Sequence, residues 1–281
     1  MTTSGKAKLA GVVGWPVAHS LSPRLHGHWL SAHAIDGAYV PLPVKPEDFA
    51  LAVTALPRMG FAGVNVTVPH KETAFALATE LDDAAKATGA VNLLLFHPDG
   101  RVEGRNTDAG GLAASLSEEL GKGVLSGKTA TILGAGGAAR AAVLALSTLG
   151  VRSIRIVNRD RARAEVLAQQ TGLSVFDWSD AAKALDGAHF LLNATSAGMT
   201  GHPPLDLKLD SLPITAAVCD VVYNPLDTDL LVAARASGHR TIDGLGMLMH
   251  QAVPAFAAFY GETPKVTPAL RAELRKALRH G

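Results

Sequence analysis

The chain of 281 residues is long enough for two domains that each bury a core, and with 48% hydrophobic and 18% charged residues it is not a disordered chain. A net charge of +1 gives no electrostatic ground for nucleic acid or an anionic membrane as partner, which leaves a small molecule. The single cysteine, Cys219, excludes an internal disulfide framework and a cysteine-based zinc site. The N-terminal residues lack the long apolar core of a signal peptide, so a cytoplasmic protein without a metal is expected.

In chain order, "KLAGVVG" reads as a strand, the residues after Ser22-Pro23 as a helix, "AYVPLPV" as a strand and Pro46 to Leu56 as a helix. "AGVNVTV" follows as a strand whose valines, Val64, Val66 and Val68, share the core face. Asn65 and Thr67 take the other face, and a helix begins near His70. "AVNLLLF" and "GRVEG" flank a Pro/Gly turn and read as a hairpin, and "DAGGLAASLSEEL" as a connecting helix. Composition shifts at "GKGVLSGK", after which "TATIL", "SIRIVNR", "LSVFD", "AHFLLNATS" and "AAVCDVVYNP" are strands separated by helices or loops, an open parallel α/β pattern. From Gly244 onward the tail is helical, interrupted at Pro254 and Pro264, and is expected to pack back on the first domain. The most apolar window, 129–149, contains Arg140 and three glycines, so it reads as strand, turn and helix rather than a membrane span.

"TILGAGGAARAAVLAL" sets Gly134, Gly136 and Gly137 between an apolar strand and an alanine-rich helix, the setting of a dinucleotide fingerprint. Glycines permit the tight turn and the close approach of a pyrophosphate to the helix N-terminus. Ala139 stands where the third glycine is usual. The next strand ends in Asn158-Arg159-Asp160-Arg161. An arginine there accommodates a 2′-phosphate and favours NADP, whereas Asp160 is either a helix N-cap or a carboxylate that would admit NAD.

In the first half, Ser22 followed by proline reads as a helix N-cap, while Ser20 lacks such a role. Two hydroxyls at a helix start also fit a carboxylate site. His19, His26 and His28 do not share a helix face, and no acidic ligand stands close in sequence, so a metal site is rejected there. Asp108 in "GRNTDAGG" reads on its own as a helix cap, and Asn92 in "GAVNLL" as the end of a turn. Lys71 in the first turn of a helix opposes the helix dipole, which argues against a purely structural lysine.

Together, "HSLSP", "NVTVPHK", "GAVN", "NTDAGG", "GAGGAAR", "NATSAGM", "DVVYNP" and "DGLGMLMHQA" run in an order that resembles the shikimate dehydrogenase family, from Ser20 to Gln251. The resemblance implies a substrate-binding, mostly parallel α/β domain over 1–108, completed by helices of 247–281, and a Rossmann-type NADP-binding domain over 109–246. It implies NADPH-dependent, reversible reduction of 3-dehydroshikimate to shikimate in aromatic amino acid (chorismate) biosynthesis, by a monomer or homodimer.

On this resemblance Ser20 and Ser22 bind the substrate carboxylate. Asn65, Thr67, Asn92 and Gln251 hold the ring hydroxyls, Tyr223 contributes beside them, and Lys71 and Asp108 form the catalytic pair. The cofactor falls to Gly134, Ala135, Gly136, Gly137 and Ala138, with Asn158, Arg159 and Arg163. Thr195, Ser196 and Met199 lie near it, Val221, Gly244 and Met247 line the nicotinamide side, and Asp83 is also counted among the cofactor residues. Asp160, Leu93 and Ala109 depart from the residues usual in the family, and of these only Asp160 bears on a proposed contact. A shikimate/quinate dehydrogenase that accepts NAD is the alternative within the class. A non-catalytic nucleotide-binding regulatory protein is the alternative outside it.

Overall fold

The structure is a computed structural model that describes residues 3–279. The chain divides into two compact units: one runs to Thr107 and resumes at Leu248, and the other is Asp108–Met247.

The first unit is built from β1 (Lys8–Gly14), α1 (Ser22–Ala32), β2 (Gly37–Pro43), α2 (Phe49–Ala55), β3 (Phe61–Val66), α3 (Lys71–Leu77), β4 (Glu80–Leu81), α4 (Asp83–Thr88), β5 (Leu93–Phe96) and β6 (Val102–Arg105). Its sheet order is β2-β1-β3-β5-β6-β4. β2, β1 and β3 are parallel, while β5 runs antiparallel to both β3 and β6. The chain therefore leaves β1 to one side and returns to its other side at β3. Connections diverge at this switch point, the place where open α/β sheets commonly bind ligands.

The alternation expected for β3 holds only in part. Val64 and Val66 are buried against Phe49, Val53 and Ala74, but the strand stops at Val66, and Val68, in the turn beyond it, is 68% exposed. The Val68-Pro69 peptide is cis. Without a ladder beyond Val66, the period-2 rule no longer governs where a side chain points.

The second unit holds α5 (Asp108–Leu120), β7 (Thr129–Leu133), α6 (Gly137–Thr148), β8 (Ser153–Asn158), α7 (Arg161–Thr171), β9 (Ser174–Asp177), α8 (Ala181–Leu185), β10 (Phe190–Asn193), β11 (Ala217–Asp220), α9 (Asp229–Ala236) and β12 (Arg240–Ile242). Its sheet order, β12-β11-β10-β7-β8-β9, is wholly parallel. Read from the other edge, the strands run 3-2-1-4-5-6, the doubly wound nucleotide-binding order with its switch point between β7 and β10. All five residues of β7 and all four of β10 are buried, as strands covered on both faces must be.

α10 (Leu245–Tyr260) and α11 (Pro268–Leu278) close the chain. Pro254 does not interrupt α10, contrary to the sequence expectation. Ala252, Ala255, Phe256 and Phe259 are buried, and this packing outweighs the backbone hydrogen bond that proline cannot donate. Gly63 and Gly37 provide part of its seat: a Cβ on Gly63 would lie 2.7 Å from the Phe259 ring, and one on Gly37 2.9 Å from that of Tyr260. The Tyr260 hydroxyl donates to the Ala38 carbonyl, and Trp29 Nε1–H donates to that of Lys265, so the tail is joined to α1 and β2. Among the described residues no helix is long and apolar enough to cross a membrane.

Candidate active site

In the first unit the polar residues gather where β1, β3 and β5 meet. The register pairs Val13 with Val66 and Asn65 with Leu93, so Asn65 and the residue before β5, Asn92, stand side by side. Asn65 is 6% exposed: its Oδ1 accepts from the Tyr39 hydroxyl at 2.8 Å, and its Nδ2 donates to the Asn92 carbonyl at 3.2 Å. The Asn92 Oδ1 accepts from the Thr107 N–H at 2.8 Å, and its Nδ2 donates to Thr107 Oγ1 at 2.9 Å and to Gln251 Oε1 at 3.3 Å. Five segments separated in sequence are thus linked by amides and hydroxyls. Such a network orders its members only when their hydrogen bonds are made.

Tyr39 and Thr107 were not among the residues expected here. Thr107 lay inside a quoted motif, and its hydroxyl at a helix start was the available signal. Nothing local marks Tyr39, whose partner is 26 residues away. The His26 ring stacks on Tyr39 at 3.8 Å between centroids, and burial depresses its pKa to about 3, so it is a neutral ring of the core. His28 instead pairs with Glu273 at 2.7 Å.

Ser22 corrects a sequence reading. The N-cap of α1 is Leu21, and Ser22 is already helical and buried. Ser20 Oγ accepts from the Ser22 N–H at 3.3 Å, so the upstream hydroxyl closes the turn and Ser22 is relieved of capping. Asp108 likewise is not ahead of α5 but opens it, and it is 5% exposed.

Lys71 opens α3, and its carbonyl accepts from the Val91 N–H, tying the helix start to the segment that carries Asn92. The preceding His70 stacks on Phe49 at 4.4 Å, and its Nε2–H donates to the Val44 carbonyl at 2.8 Å. Burial lowers its pKa, against the raising effect of the Val44 bond. Thr67 follows β3 half-buried, its N–H donating to the Val13 carbonyl. Asp83, in contrast, is an exposed first-turn residue of α4 beside Lys86, and Asp82 is the residue that caps that helix.

In the second unit the turn between β7 and α6 meets the requirements of a phosphate cradle. Gly134 has φ +109°, and a Cβ there would lie 3.0 Å from Thr195 Cγ2 and 3.1 Å from the Ala194 carbonyl oxygen. Gly136 is the N-cap of α6 and offers no side-chain cap, so the first N–H groups of the helix, from Gly137 and Ala138, stay available to an anion. Ala135 is buried beneath the turn, and Ala139 is fully buried against the sheet, which explains why a small residue suffices in the third glycine's place.

Next to this turn is a cavity of about 230 Å³, whose lining includes Asn158, Arg159, Trp178, Thr195, Ser196 and His202. Asp160 is the N-cap of α7: its Oδ1 accepts from the Arg163 N–H at 3.1 Å. Its carboxylate is therefore engaged by the helix, and Arg163 is exposed. Met199 is half-buried, and its N–H donates to the Ser196 carbonyl.

Beneath Thr195, Asn193 is fully buried. It accepts from the Thr195 hydroxyl at 2.7 Å and donates to Asp220 Oδ1 at 3.0 Å. Asp220 also accepts from the Val222 N–H and the Thr228 hydroxyl, so one carboxylate organises the loops after β10 and β11. Burial raises its pKa to about 6 against the lowering effect of these hydrogen bonds. A Cβ on Gly244 would lie 2.2 Å from the Val221 carbonyl oxygen, so these two backbones touch, and Met247 and Val221 pack on the same core. Tyr223 stands half-buried two residues beyond Val221.

A wholly parallel 3-2-1-4-5-6 sheet with a glycine cradle at its switch point, joined to an α/β unit with a buried amide network, defines a two-domain oxidoreductase with a Rossmann-type half. Residues 12–94 match the family model "Shikimate dehydrogenase substrate binding domain" and residues 115–200 match "Shikimate / quinate 5-dehydrogenase". The chain belongs to the shikimate dehydrogenase family. It is 54% identical over 271 residues to the shikimate dehydrogenase (NADP(+)) of Paramagnetospirillum magneticum, which covers 96% of this chain and 98% of that protein. Among solved structures it is similar to the shikimate 5-dehydrogenase of Thermus thermophilus in complex with NADP(H) and shikimate, at 35% identity and TM-score 0.85, over 96% of this chain and 99% of that one. The quinate dehydrogenase of Corynebacterium glutamicum in complex with NAD is 30% identical with TM-score 0.85, over 98% and 99% of the two chains.

Proposed function

We propose that the chain catalyses the reversible NADPH-dependent reduction of 3-dehydroshikimate to shikimate, in the cytoplasm, as a step of aromatic amino acid biosynthesis. The observation that carries this reading is the amide network: Asn65, Asn92 and Gln251, held by Tyr39 and Thr107, form a polar cluster suited to a ring bearing several hydroxyls, and the Val91 N–H ties the segment of Asn92 to the Lys71 backbone. Ser20 and Ser22, at the start of α1, receive the carboxylate with the helix N–H groups. Thr67 and Tyr223 complete the set.

The Gly134 turn and the N-terminus of α6 hold the pyrophosphate, and Arg159 and Arg163 meet the 2′-phosphate. Val221, Gly244 and Met247 border the nicotinamide, and Asp83 belongs to this set by resemblance alone. NADPH when bound supplies the hydride. Lys71 Nζ–H donates its proton to the carbonyl oxygen of the substrate as negative charge gathers there, and takes it back in the reverse direction. Asp108 acts with it as the acid/base partner.

A shikimate/quinate dehydrogenase that also takes NAD is the second reading, favoured by the likeness to the quinate dehydrogenase. Asp160 gives it little support, because its carboxylate caps α7. Initial rates with shikimate or quinate and with NADP or NAD test both readings. Turnover of shikimate with NADP and slow rates in the other combinations are expected. Cofactor binding without turnover of either alcohol would instead fit a non-catalytic nucleotide-binding protein.

A further inference from the structure

We propose that Trp178 is a specificity-determining positioning residue: its indole face holds the Arg159 guanidinium at the rim of the nucleotide cavity, where it meets the 2′-phosphate. This rests on the NADP reading above. The guanidinium carbon lies 5.2 Å from the indole centroid, within the range of a cation–π contact, and both side chains line the same cavity.

The fold produces this pairing through strand register. Asn158, the last residue of β8, is level with Asp177, the last of β9, so the next residues, Arg159 and Trp178, leave the sheet side by side. Trp178 is half-buried and packs on the core formed with Ala181 and Leu185, which makes it a firm platform.

The charges of the two residues that follow Arg159 are engaged elsewhere. Arg161 is engaged by Glu165 and Asp177 at 2.7 and 2.8 Å, and the Asp160 carboxylate is engaged as a helix cap. Among the described residues no carboxylate pairs with Arg159. An exposed arginine samples many rotamers, and fixing it costs side-chain entropy on binding. A contact with the ring face takes up no hydrogen-bond donor and so leaves the guanidinium N–H groups for phosphate oxygens, and the ring pre-orders the group without competing for it.

Calorimetric titration with 2′,5′-ADP and with 5′-AMP tests the role without requiring turnover. Trp178→Leu, which keeps an apolar side chain against the core, should weaken 2′,5′-ADP about two- to fivefold, the range of an exposed cation–π contact, and leave 5′-AMP unchanged. Trp178→Phe keeps an aromatic face and should recover most of the loss. In turnover, Trp178→Leu should raise the KM for NADP and leave kcat unaltered. Equal weakening of both ligands would overturn the proposal, because the ring would then serve the adenine. Unchanged affinities would also overturn it. If the unaltered protein already binds the two ligands equally well, the NADP reading itself fails. If it prefers 2′,5′-ADP while Trp178→Leu has no effect, only the role of Trp178 fails.

Discussion

Replacing Asp220 by Asn should make the protein more stable, and more so at alkaline than at acidic pH. Burial lifts the Asp220 pKa from 3.8 to about 6, so the folded chain holds this proton more tightly than the unfolded chain does. For a carboxyl shifted upward, stability falls as pH rises from the unfolded value through the folded one, and is level above it. The gap corresponds to about 3 kcal/mol at pH 8 and, with the unfolded form already partly ionised, about 1 kcal/mol at pH 4.5. An amide at this position keeps an oxygen toward the Asn193 amide and the Val222 N–H. Its NH₂ faces the Thr228 hydroxyl, which can accept as well as donate. Asp220→Asn should therefore stabilise by up to about 3 kcal/mol at pH 8 and flatten the pH dependence by about 2 kcal/mol. Urea unfolding followed by circular dichroism at the two pH values measures both quantities. An Asn variant whose stability falls with pH as steeply as the parent's would refute the argument, because the slope would then come from other groups.

Lys71→Met should lower kcat by about 10²–10⁴-fold while the KM for shikimate changes less, as measured by initial rates, and near-normal turnover would remove Lys71 from the chemistry. Gly134→Ala should destabilise by about 2 kcal/mol, since a Cβ at φ +109° is strained and meets Thr195 and Ala194; thermal unfolding and the KM for NADP report this together. Tyr39→Phe removes a buried donor from Asn65 at a cost of about 1 kcal/mol in stability, and should raise the KM for shikimate several-fold with kcat nearly unaltered.

Features encoded within a few residues of each other were legible in the sequence. β1, the hairpin of β5 and β6, the start of α5 and the glycine turn each follow from alternation, turn residues or strand–helix spacing, and Asp160 caps α7 as its position allowed. Legibility ended where a residue's surroundings come from elsewhere in the chain. Val68 broke the alternation because β3 had already ended, and Pro254 stayed helical because its neighbours are buried. Ser22 lost its capping role to the backbone at Leu21. Tyr39, Thr107 and Trp178 act on partners 26, 15 and 19 positions away, distances at which local pattern carries no information.

The seat of α10 carries a consequence for the amide network. Gly63 lies in β3 two residues before Asn65, and a Cβ there would meet both the Leu94 carbonyl oxygen of the neighbouring strand and, at 2.7 Å, the Phe259 ring. Phe259 is eight residues along α10 from Gln251, about 12 Å at the rise of a helix. A helix transmits a push along its length, so a methyl group added at Gly63 would be felt at both ends of the amide chain: at Asn65 through the strand and at Gln251 through the helix. The precision of the polar surface therefore depends on an apolar position that touches no ligand, and selection for binding would act there as a limit on size.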